Sequence, residues 1–199
     1  MIKKILSAFT LILILLFISC ASKPAAGNNE SELKLCTNLR PVYVTNTKKI
    51  FLLMPEYSAA ITDAVQLLEG SFGKTKFSLL SYTQIDQKGI SLSLFNDFGT
   101  DMGNLSFNGE KINFDSAYFP SALPAEYIVN DIQNAFYDVK ALSRNYENAK
   151  LIFENTENGE YRRVFDGKNL IEEIRILNNT VIIKNFLRGY EYKLTKVEE

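Results

Sequence analysis

The chain has 199 residues with 22 basic and 23 acidic side chains, a balance that offers no basic surface for nucleic acid. It contains no histidine, which excludes Ser-His-Asp and Cys-His catalysis and HExxH zinc sites. We therefore expect no nucleic-acid partner, and an enzyme would need carboxylate, lysine or tyrosine chemistry instead. An enzyme is the poorest of the three interpretations of this chain, and we expect none, with no cofactor and no metal site.

The first twenty residues have the pattern of a bacterial lipoprotein export signal. Lys3 and Lys4 form a positive start, residues 5–18 form an apolar stretch, and Ser19 is a small residue before Cys20. The apolar stretch has about 14 residues, whereas a membrane-spanning helix needs about 20. The pattern predicts a signal peptide over residues 1–19 and acylation of Cys20. An ordinary cleaved signal and an uncleaved anchor are the alternatives.

The residues after Cys20 bear on localisation. Ala21 and Ser22 are not the aspartate that retains lipoproteins in the inner membrane of familiar Gram-negative bacteria. We therefore expect an outer-membrane lipoprotein of the cell envelope that faces the periplasm, held by N-terminal acyl chains. Removal of residues 1–19 takes away two lysines and no acid, so the mature chain carries a net charge of −3.

The rest of the chain divides into a tether and a body. Residues 20–34 are the acylated N-terminus and a small, polar stretch that is typical of a flexible tether, and residues 35–199 have the size of a single domain. Cys36 has no cysteine left to pair with once Cys20 is acylated. It is either a buried small hydrophobe or a thiol for another chain, and the lack of a basic cluster around it favours burial.

Alternating apolar residues predict antiparallel strands over most of this body. Ile90, Leu92 and Leu94 alternate with serines, and Asn108-Gly109 lies between two alternating runs, which is typical of a hairpin. Asp166-Gly167 and Asn178-Asn179 predict further turns. Successive short strands of this kind favour a meander that curls into a barrel or half-barrel.

A segment in the middle of the chain has a helical pattern. Residues 123–146 predict two helices, the first entered at Pro124 and the second capped by Asp138. Ile128, Ile132 and Phe136 are four residues apart and share one stripe. An earlier helix over residues 58–68 is possible, although the same residues could begin the first strand.

The order of elements predicts an α+β fold that is mainly antiparallel β. A curved, incomplete barrel would be covered by the central helical pair, and its interior would be either a filled core or a ligand cavity. The candidate residues for contact with a hydrophobic ligand are Leu92, Leu94, Leu105, Phe107, Ile128, Ile132 and Phe136.

Two pairs of adjacent charged residues are candidate catalytic or binding motifs. Glu172 and Glu173 are adjacent in a predicted strand and should point to opposite faces, so they do not form a catalytic carboxylate pair. Only one of Arg162 and Arg163 can face a given pocket for the same reason. No lipase-like or phosphate-binding glycine motif is present.

Several segments together resemble a family of bacterial lipoproteins catalogued as domain of unknown function 3261. They are FLLMP, DAVQLLEG, SLSLFNDFGTDMGNLSFNGEKI, LPAEYIVNDIQNAFYDVKAL, YRRVFDGKNLIEEIRI and GYEYKLT, and they span residues 51–195. Phe136-Tyr137 stands where relatives have a pair that contains tryptophan, which is a departure. That family is similar to the LolA/LolB lipoprotein carriers, whose fold is an incomplete barrel covered by helices around an apolar cavity.

The resemblance implies a function in handling acyl chains. Members often accompany genes of aryl-polyene or related lipid biosynthesis. The implied ligand is a lipid or the acyl chains of a lipoprotein, bound for transport or insertion, and a periplasmic carrier protein is a possible partner. The resemblance implies no catalytic residues. The alternative is a non-catalytic structural or interaction lipoprotein with a filled core.

Overall fold

Ten strands, along which buried and more exposed residues alternate, form one antiparallel sheet. The computed structural model describes residues 32–59, 61–116 and 124–197. The predicted signal peptide, Cys20 and the tether up to residue 31 lie outside the described residues. The compact unit discussed below is Leu33–Glu199.

The chain begins with short elements and then forms the sheet in two runs. A small pair, β1 (Val42–Tyr43) and β2 (Lys49–Ile50), and a 3-10 turn, Pro55–Tyr57, come first. The first run is β3 (Thr62–Phe72), β4 (Thr75–Asp86), β5 (Gly89–Phe95), β6 (Asp101–Phe107) and β7 (Ile112–Ser116). Helices α1 (Ala125–Phe136) and α2 (Val139–Asn148) follow. The second run is β8 (Ile152–Asn155), β9 (Tyr161–Asp166), β10 (Asn169–Leu177), β11 (Thr180–Asn185) and β12 (Tyr190–Lys196).

The two runs join through their long first and last strands. The order in the sheet is β7-β6-β5-β4-β3-β12-β11-β10-β9-β8, with Leu68 of β3 opposite Leu194 of β12. The edge strands β7 and β8 flank the helical pair in sequence and do not pair with each other, so the sheet is open. Helix α1 contacts β7 at one edge and β10 and β11 in the other run, so the sheet curves around it. The expected α+β fold with an incomplete antiparallel barrel is confirmed at this level.

The predicted turns are present. Asn108-Gly109 begins the loop between β6 and β7, and the Asn108 side chain accepts hydrogen bonds from the amides of Glu110 and Lys111. Asp166 pairs with Asn169 across a two-residue turn, and Leu177 pairs with Thr180 across Asn178-Asn179. Asn178 has φ +40°, a conformation that asparagine tolerates better than most residues.

The structure also decides between the early helix and the first strand, and it tests the predicted helical pair. Residues 62–72 form strand β3 and not a helix, because hydrogen bonding to both β4 and β12 outweighs the local helical pattern. The helical pair is confirmed. Pro124 is the N-cap of α1, and Asp138 caps α2 by accepting a hydrogen bond from the Ala141 amide at 2.9 Å.

Candidate functional site

A small cavity lies between α1 and the concave face of the sheet. Its volume is about 30 Å³. Its walls come from β3, β4, β5, α1, β11 and β12, and they are Leu68, Thr83, Ile85, Leu92, Ile128, Asp131, Ile132, Phe136, Ile183, Tyr192 and Leu194. The cavity is therefore bounded by α1 on one side and by the middle of the sheet on the other.

The structure brings four of the seven candidate ligand residues to this cavity. Leu92, Ile128, Ile132 and Phe136 line it. Three others, Leu94, Leu105 and Phe107, are at most 2% exposed and belong to the core, but they are not among the lining residues. The 3-10 turn packs against β5, and Met54 and Pro55 lie over the β6–β7 loop at Gly109. The N-terminal segment thus packs near the strands that carry these three residues.

The cavity is too small for a typical ligand in this conformation. Ligand pockets for small molecules usually have about 300–1,000 Å³. A volume of about 30 Å³ accommodates a group of the size of water and not an alkyl chain. Entry of a chain therefore requires α1 to move away from the sheet.

Two of the lining residues, Thr83 and Asp131, have polar side chains. Thr83 is 2% exposed, and its Oγ1 makes no hydrogen bond to any residue that the structure describes. Asp131 is equally buried, and its Oδ2 accepts a hydrogen bond from the Tyr190 hydroxyl at 2.7 Å. The surface of the cavity is nevertheless entirely apolar, so these two residues border it through their apolar atoms.

A second buried acid, Glu172, interacts electrostatically with Asp131. Glu172 of β10 is 1% exposed, and its Oε2 accepts a hydrogen bond from Asn134 Nδ2 at 3.0 Å. Burial raises the pKa of Asp131 to about 8. Burial, and then repulsion by Asp131, raise the pKa of Glu172 well above its usual range. The two acids therefore favour protonated forms near neutral pH.

Amide side chains of α1 connect the acids to α2. Asn134 Nδ2 also donates to the Tyr146 hydroxyl at 2.7 Å, and Asn130 Nδ2 donates to the same hydroxyl at 3.3 Å. The hydroxyl of Tyr146 thus lies between two amides of α1. This network fixes the rotation of α1 relative to α2, because each bond has a direction.

Further polar bonds hold the C-terminal half of α1. The Gln133 side chain donates to the Leu53 carbonyl at 2.8 Å and accepts from the Leu53 amide at 3.0 Å. Arg162 Nη1 donates to the carbonyls of Asn134 and Tyr137 at 2.9 and 3.0 Å. The guanidinium therefore satisfies carbonyls at the end of α1, where a cation also complements the helix dipole.

The two charged pairs divide between the faces of the sheet as expected. Glu172 and Arg162 point to the interior, whereas Glu173 lies outside and pairs with Arg163 and Arg175, each at 2.8 Å. The prediction that adjacent members of these pairs point to opposite faces of the sheet is confirmed. The interior pair that does exist, Asp131 with Glu172, joins a helix to a distant strand, and no sequence spacing indicates it.

Cys36 is a buried core residue. It is 1% exposed, and its thiol lies 3.6 Å from the Leu53 carbonyl oxygen. Burial raises the pKa of this thiol to about 11, so it stays protonated at neutral pH. The interpretation of Cys36 as a small hydrophobe is confirmed.

Sequence reasoning missed Thr83, Asp131 and Glu172. The only available signal was that Asp131 is next to Ile132 on a helix whose apolar stripe was expected to face inward. Thr83 follows the alternation of β4, which places it on the buried face with Ile85. Its lack of a hydrogen-bond partner depends on the tertiary structure alone.

Within residues 32–59, 61–116 and 124–197, no group of three or more cysteine, aspartate or glutamate side chains could hold a metal ion. Across the same part of the chain, no helix has the length and apolar character needed to cross a membrane.

Comparison with known proteins identifies the family. No curated protein matches this chain. Residues 63–198, more than half of the chain, match the sequence model of a family described as "Protein of unknown function (DUF3261)". The matched range begins inside β3 and includes all the remaining strands of the large sheet and both helices. The FLLMP segment lies before it. The chain therefore belongs to the DUF3261 family.

Proposed function

We propose that this protein is a lipoprotein of the cell envelope that binds the acyl chain of a lipid or lipoprotein between α1 and the curved sheet, for transport or insertion. The observation that carries the proposal is the apolar cavity beneath α1. Burial of an alkyl chain there would contribute about 25 cal/mol for each Å² removed from water. Helix α1 would act as the cover that moves.

The likeness to the LolA/LolB carriers supports this proposal at the level of fold. The resemblance implies an incomplete barrel covered by helices, and this chain has an open antiparallel sheet with the helical pair inserted between its two edge strands. A cover connected at the open edges can shift without breaking the pairing of the central strands. Fold alone does not determine function, so the ligand must be tested directly.

The anchor belongs to the same proposal. Acyl chains on Cys20 would hold the domain at the periplasmic face of the outer membrane, and the tether would let it reach a donor carrier. Intact-mass measurement of the chain extracted from membranes should show loss of residues 1–19 and gain of acyl groups. Cys20→Ser should abolish the modification, and an unmodified wild-type N-terminus would contradict the anchor.

The binding proposal is tested by mass spectrometry of lipids that co-purify with Leu33–Glu199 exported to the periplasm. Ile132→Phe adds volume at the cavity wall and should exclude the ligand. Ile61→Phe makes the same change at a position that is 83% exposed and serves as the matched control. We expect a stoichiometric acylated molecule on the wild type and the control and a large loss on Ile132→Phe.

A second candidate function is supported by the small volume of the cavity. An interior with only about 30 Å³ free is close to a filled core, as a structural or interaction lipoprotein would have. Absence of any bound lipid from a wild-type domain that unfolds cooperatively would favour this second function, and a protein partner would then be sought.

A further inference from the structure

Two buried acids connect α1 to the second run of strands. Asp131 of α1 accepts a hydrogen bond at Oδ2 from the Tyr190 hydroxyl of β12, at 2.7 Å. Glu172 of β10 accepts one at Oε2 from Asn134 Nδ2 of α1, at 3.0 Å. Asp131 and Asn134 are three residues apart, so they lie on the same face of the helix. This face of α1 is therefore attached to two strands through carboxyl groups.

Neither acid has a basic partner. Among the residues that the structure describes, no lysine or arginine forms an ion pair with Asp131 or Glu172. Both side chains are buried, and Glu172 Oε1 makes no hydrogen bond in this part of the chain. A carboxylate that is ionised in a dry interior without a cation is strongly unfavourable. Burial therefore favours the neutral form of both acids.

Two arginines contact α1, and each has other partners. The charge of Arg188, in the turn before β12, favours ionisation of both acids. Its guanidinium, however, donates to the Tyr43 carbonyl and lies 4.5 Å from the centre of the Tyr127 ring. Arg162 of β9 donates to carbonyls at the C-terminal end of α1. Because the pKa of each acid is raised, burial outweighs the attraction of Arg188.

Three tyrosine hydroxyls also interact electrostatically with the two acids. They are Tyr146 of α2 and Tyr190 and Tyr192 of β12. Burial raises the pKa of each hydroxyl above its usual value. These tyrosines therefore stay protonated at neutral pH, and the groups of this cluster that can lose a proton there are the two acids.

We propose that Asp131 and Glu172 form a proton-dependent latch that holds α1 against the sheet, and that the opening of α1 releases their protons. This inference rests on the proposed function, in which α1 is the cover of the cavity, and it specifies how that cover is regulated. In the closed state the neutral carboxyl groups keep their hydrogen bonds to Tyr190 and Asn134. In the open state both acids contact water and ionise, so a rise in pH favours opening.

The two pKa values of Asp131 determine the direction and size of the effect. An aspartate in water has a pKa of about 4, whereas Asp131 in the closed state has a pKa of about 8. Between these values the open state holds fewer protons than the closed state. The opening constant of α1 should therefore rise by up to about tenfold per pH unit through this window, and Glu172 acts in the same direction.

Hydrogen–deuterium exchange of the full-length protein in lipid nanodiscs measures this opening. After correction for intrinsic exchange rates, the amides of α1 should lose protection as the pH rises from about 5 to 8. The amides of β3 and β4, in the middle of the sheet, should remain more protected than those of α1 at every pH. This difference would show that α1 opens without global unfolding.

Conservative variants test whether the two acids cause the change. Asp131→Asn and Glu172→Gln each keep an oxygen acceptor and remove the ionisable group, so each should reduce the dependence of α1 protection on pH. The double variant should remove most of it. Asp97→Asn makes the same change in the exposed loop between β5 and β6 and should retain the wild-type dependence.

The outcomes separate the latch from the proposed function. Protection of α1 that does not change with pH, or that equals the protection of β3 and β4, would overturn the latch, and acyl-chain binding would stand if an acylated molecule still co-purifies. A pH dependence that survives in the double variant would overturn the role of the two acids. The expected pH dependence in a protein that never carries an acylated molecule would overturn the proposed function and leave proton-linked opening.

Discussion

The two helices meet the same sheet in different ways. Helix α2 buries a narrow stripe, Ala141, Leu142, Asn145 and Tyr146, and it starts at an ordinary side-chain cap. Helix α1 is buried over nine of its twelve residues, and five of the nine are polar: Glu126, Asn130, Asp131, Gln133 and Asn134. Besides this stripe, α2 is attached by the bonds of Tyr146 to α1 and of Asn145 to the Phe51 carbonyl. Helix α1 is held by directional bonds to several further partners.

This difference shows what the movement of each helix would require. A helix held by apolar contacts can slide while it remains buried, because such contacts have little directionality. A helix held by buried hydrogen bonds must break them, and each broken bond leaves an unfavourable buried group. The opening of α1 that the proposed function requires would therefore break several bonds together, and a ligand, a membrane or a partner would have to replace them.

The largest expected effect is a pH dependence of the free energy of unfolding, which comes from Asp131 of α1. The unfolded chain ionises Asp131 near a pKa of about 4, and the folded protein does so near a pKa of about 8. The folded state then holds more protons between these values, so the free energy of unfolding falls as the pH rises through this window. The slope is up to about 1.4 kcal/mol per pH unit for each such acid, and Glu172 acts in the same direction.

Urea unfolding at several pH values checks this expectation. Asp131→Asn keeps an acceptor for the Tyr190 hydroxyl and should reduce the slope between pH 4 and 8, and the slope that remains comes from Glu172. Asn145→Ala in α2 contains no titratable change and should lower the whole curve without changing its slope. A wild-type protein whose stability rises through this window would contradict the assignment of Asp131 as a buried neutral acid.

The next effect compares one amide from each helix. Gln133→Ala in α1 removes two hydrogen bonds to Leu53 and leaves the Leu53 amide and carbonyl buried without their partner, which should lower the free energy of unfolding by about 3 kcal/mol. Asn145→Ala in α2 removes one bond, to the Phe51 carbonyl, and should lower it by about 1–2 kcal/mol.

Chemical denaturation of both variants distinguishes the two modes of attachment. Equal losses would mean that α1 and α2 are held to the same degree by polar bonds. In that case the distinction drawn between the two helices would be wrong.

The cap of α2 gives a smaller effect. Asp138→Ala removes the acceptor of the Ala141 amide and should lower the free energy of unfolding by about 1 kcal/mol. Asp138→Ser retains a capping oxygen and should recover most of the loss. A thermal melt that shows no difference between the alanine and serine variants would indicate that the cap contributes nothing to the position of α2.

Local patterns predicted much of this fold and little of its interior chemistry. The turns at Asn108-Gly109 and Asp166-Gly167 and the cap at Asp138 depend on neighbours within a few residues, and they could be recognised in the sequence. The pairing of β3 with β12 joins residues more than a hundred positions apart, so no local pattern contains it. The electrostatic interaction of Asp131 with Glu172 also depends on the tertiary structure, because it joins α1 to the distant strand β10.

The candidate ligand residues show the same limit. The apolar stripe of α1 identified Ile128, Ile132 and Phe136 as inward, and all three line the cavity. Leu94, Leu105 and Phe107 were equally apolar and alternate equally well, yet they belong to the core outside the cavity lining. Periodicity indicates which face is buried and contains no information on which buried residues border a cavity.

The smallest expected effect concerns the sheet opposite α1. Thr83→Val removes a buried hydroxyl that makes no hydrogen bond in the described structure and replaces it with a methyl group of similar size. The free energy of unfolding should rise by about 1 kcal/mol, since the penalty for the unbonded hydroxyl disappears and apolar contact with the surrounding side chains increases. Thr75→Val, at the exposed start of β4, should change the stability little. Urea unfolding of both variants is the measurement: a loss of stability in Thr83→Val would mean that its hydroxyl is bonded in solution and contributes to the fold.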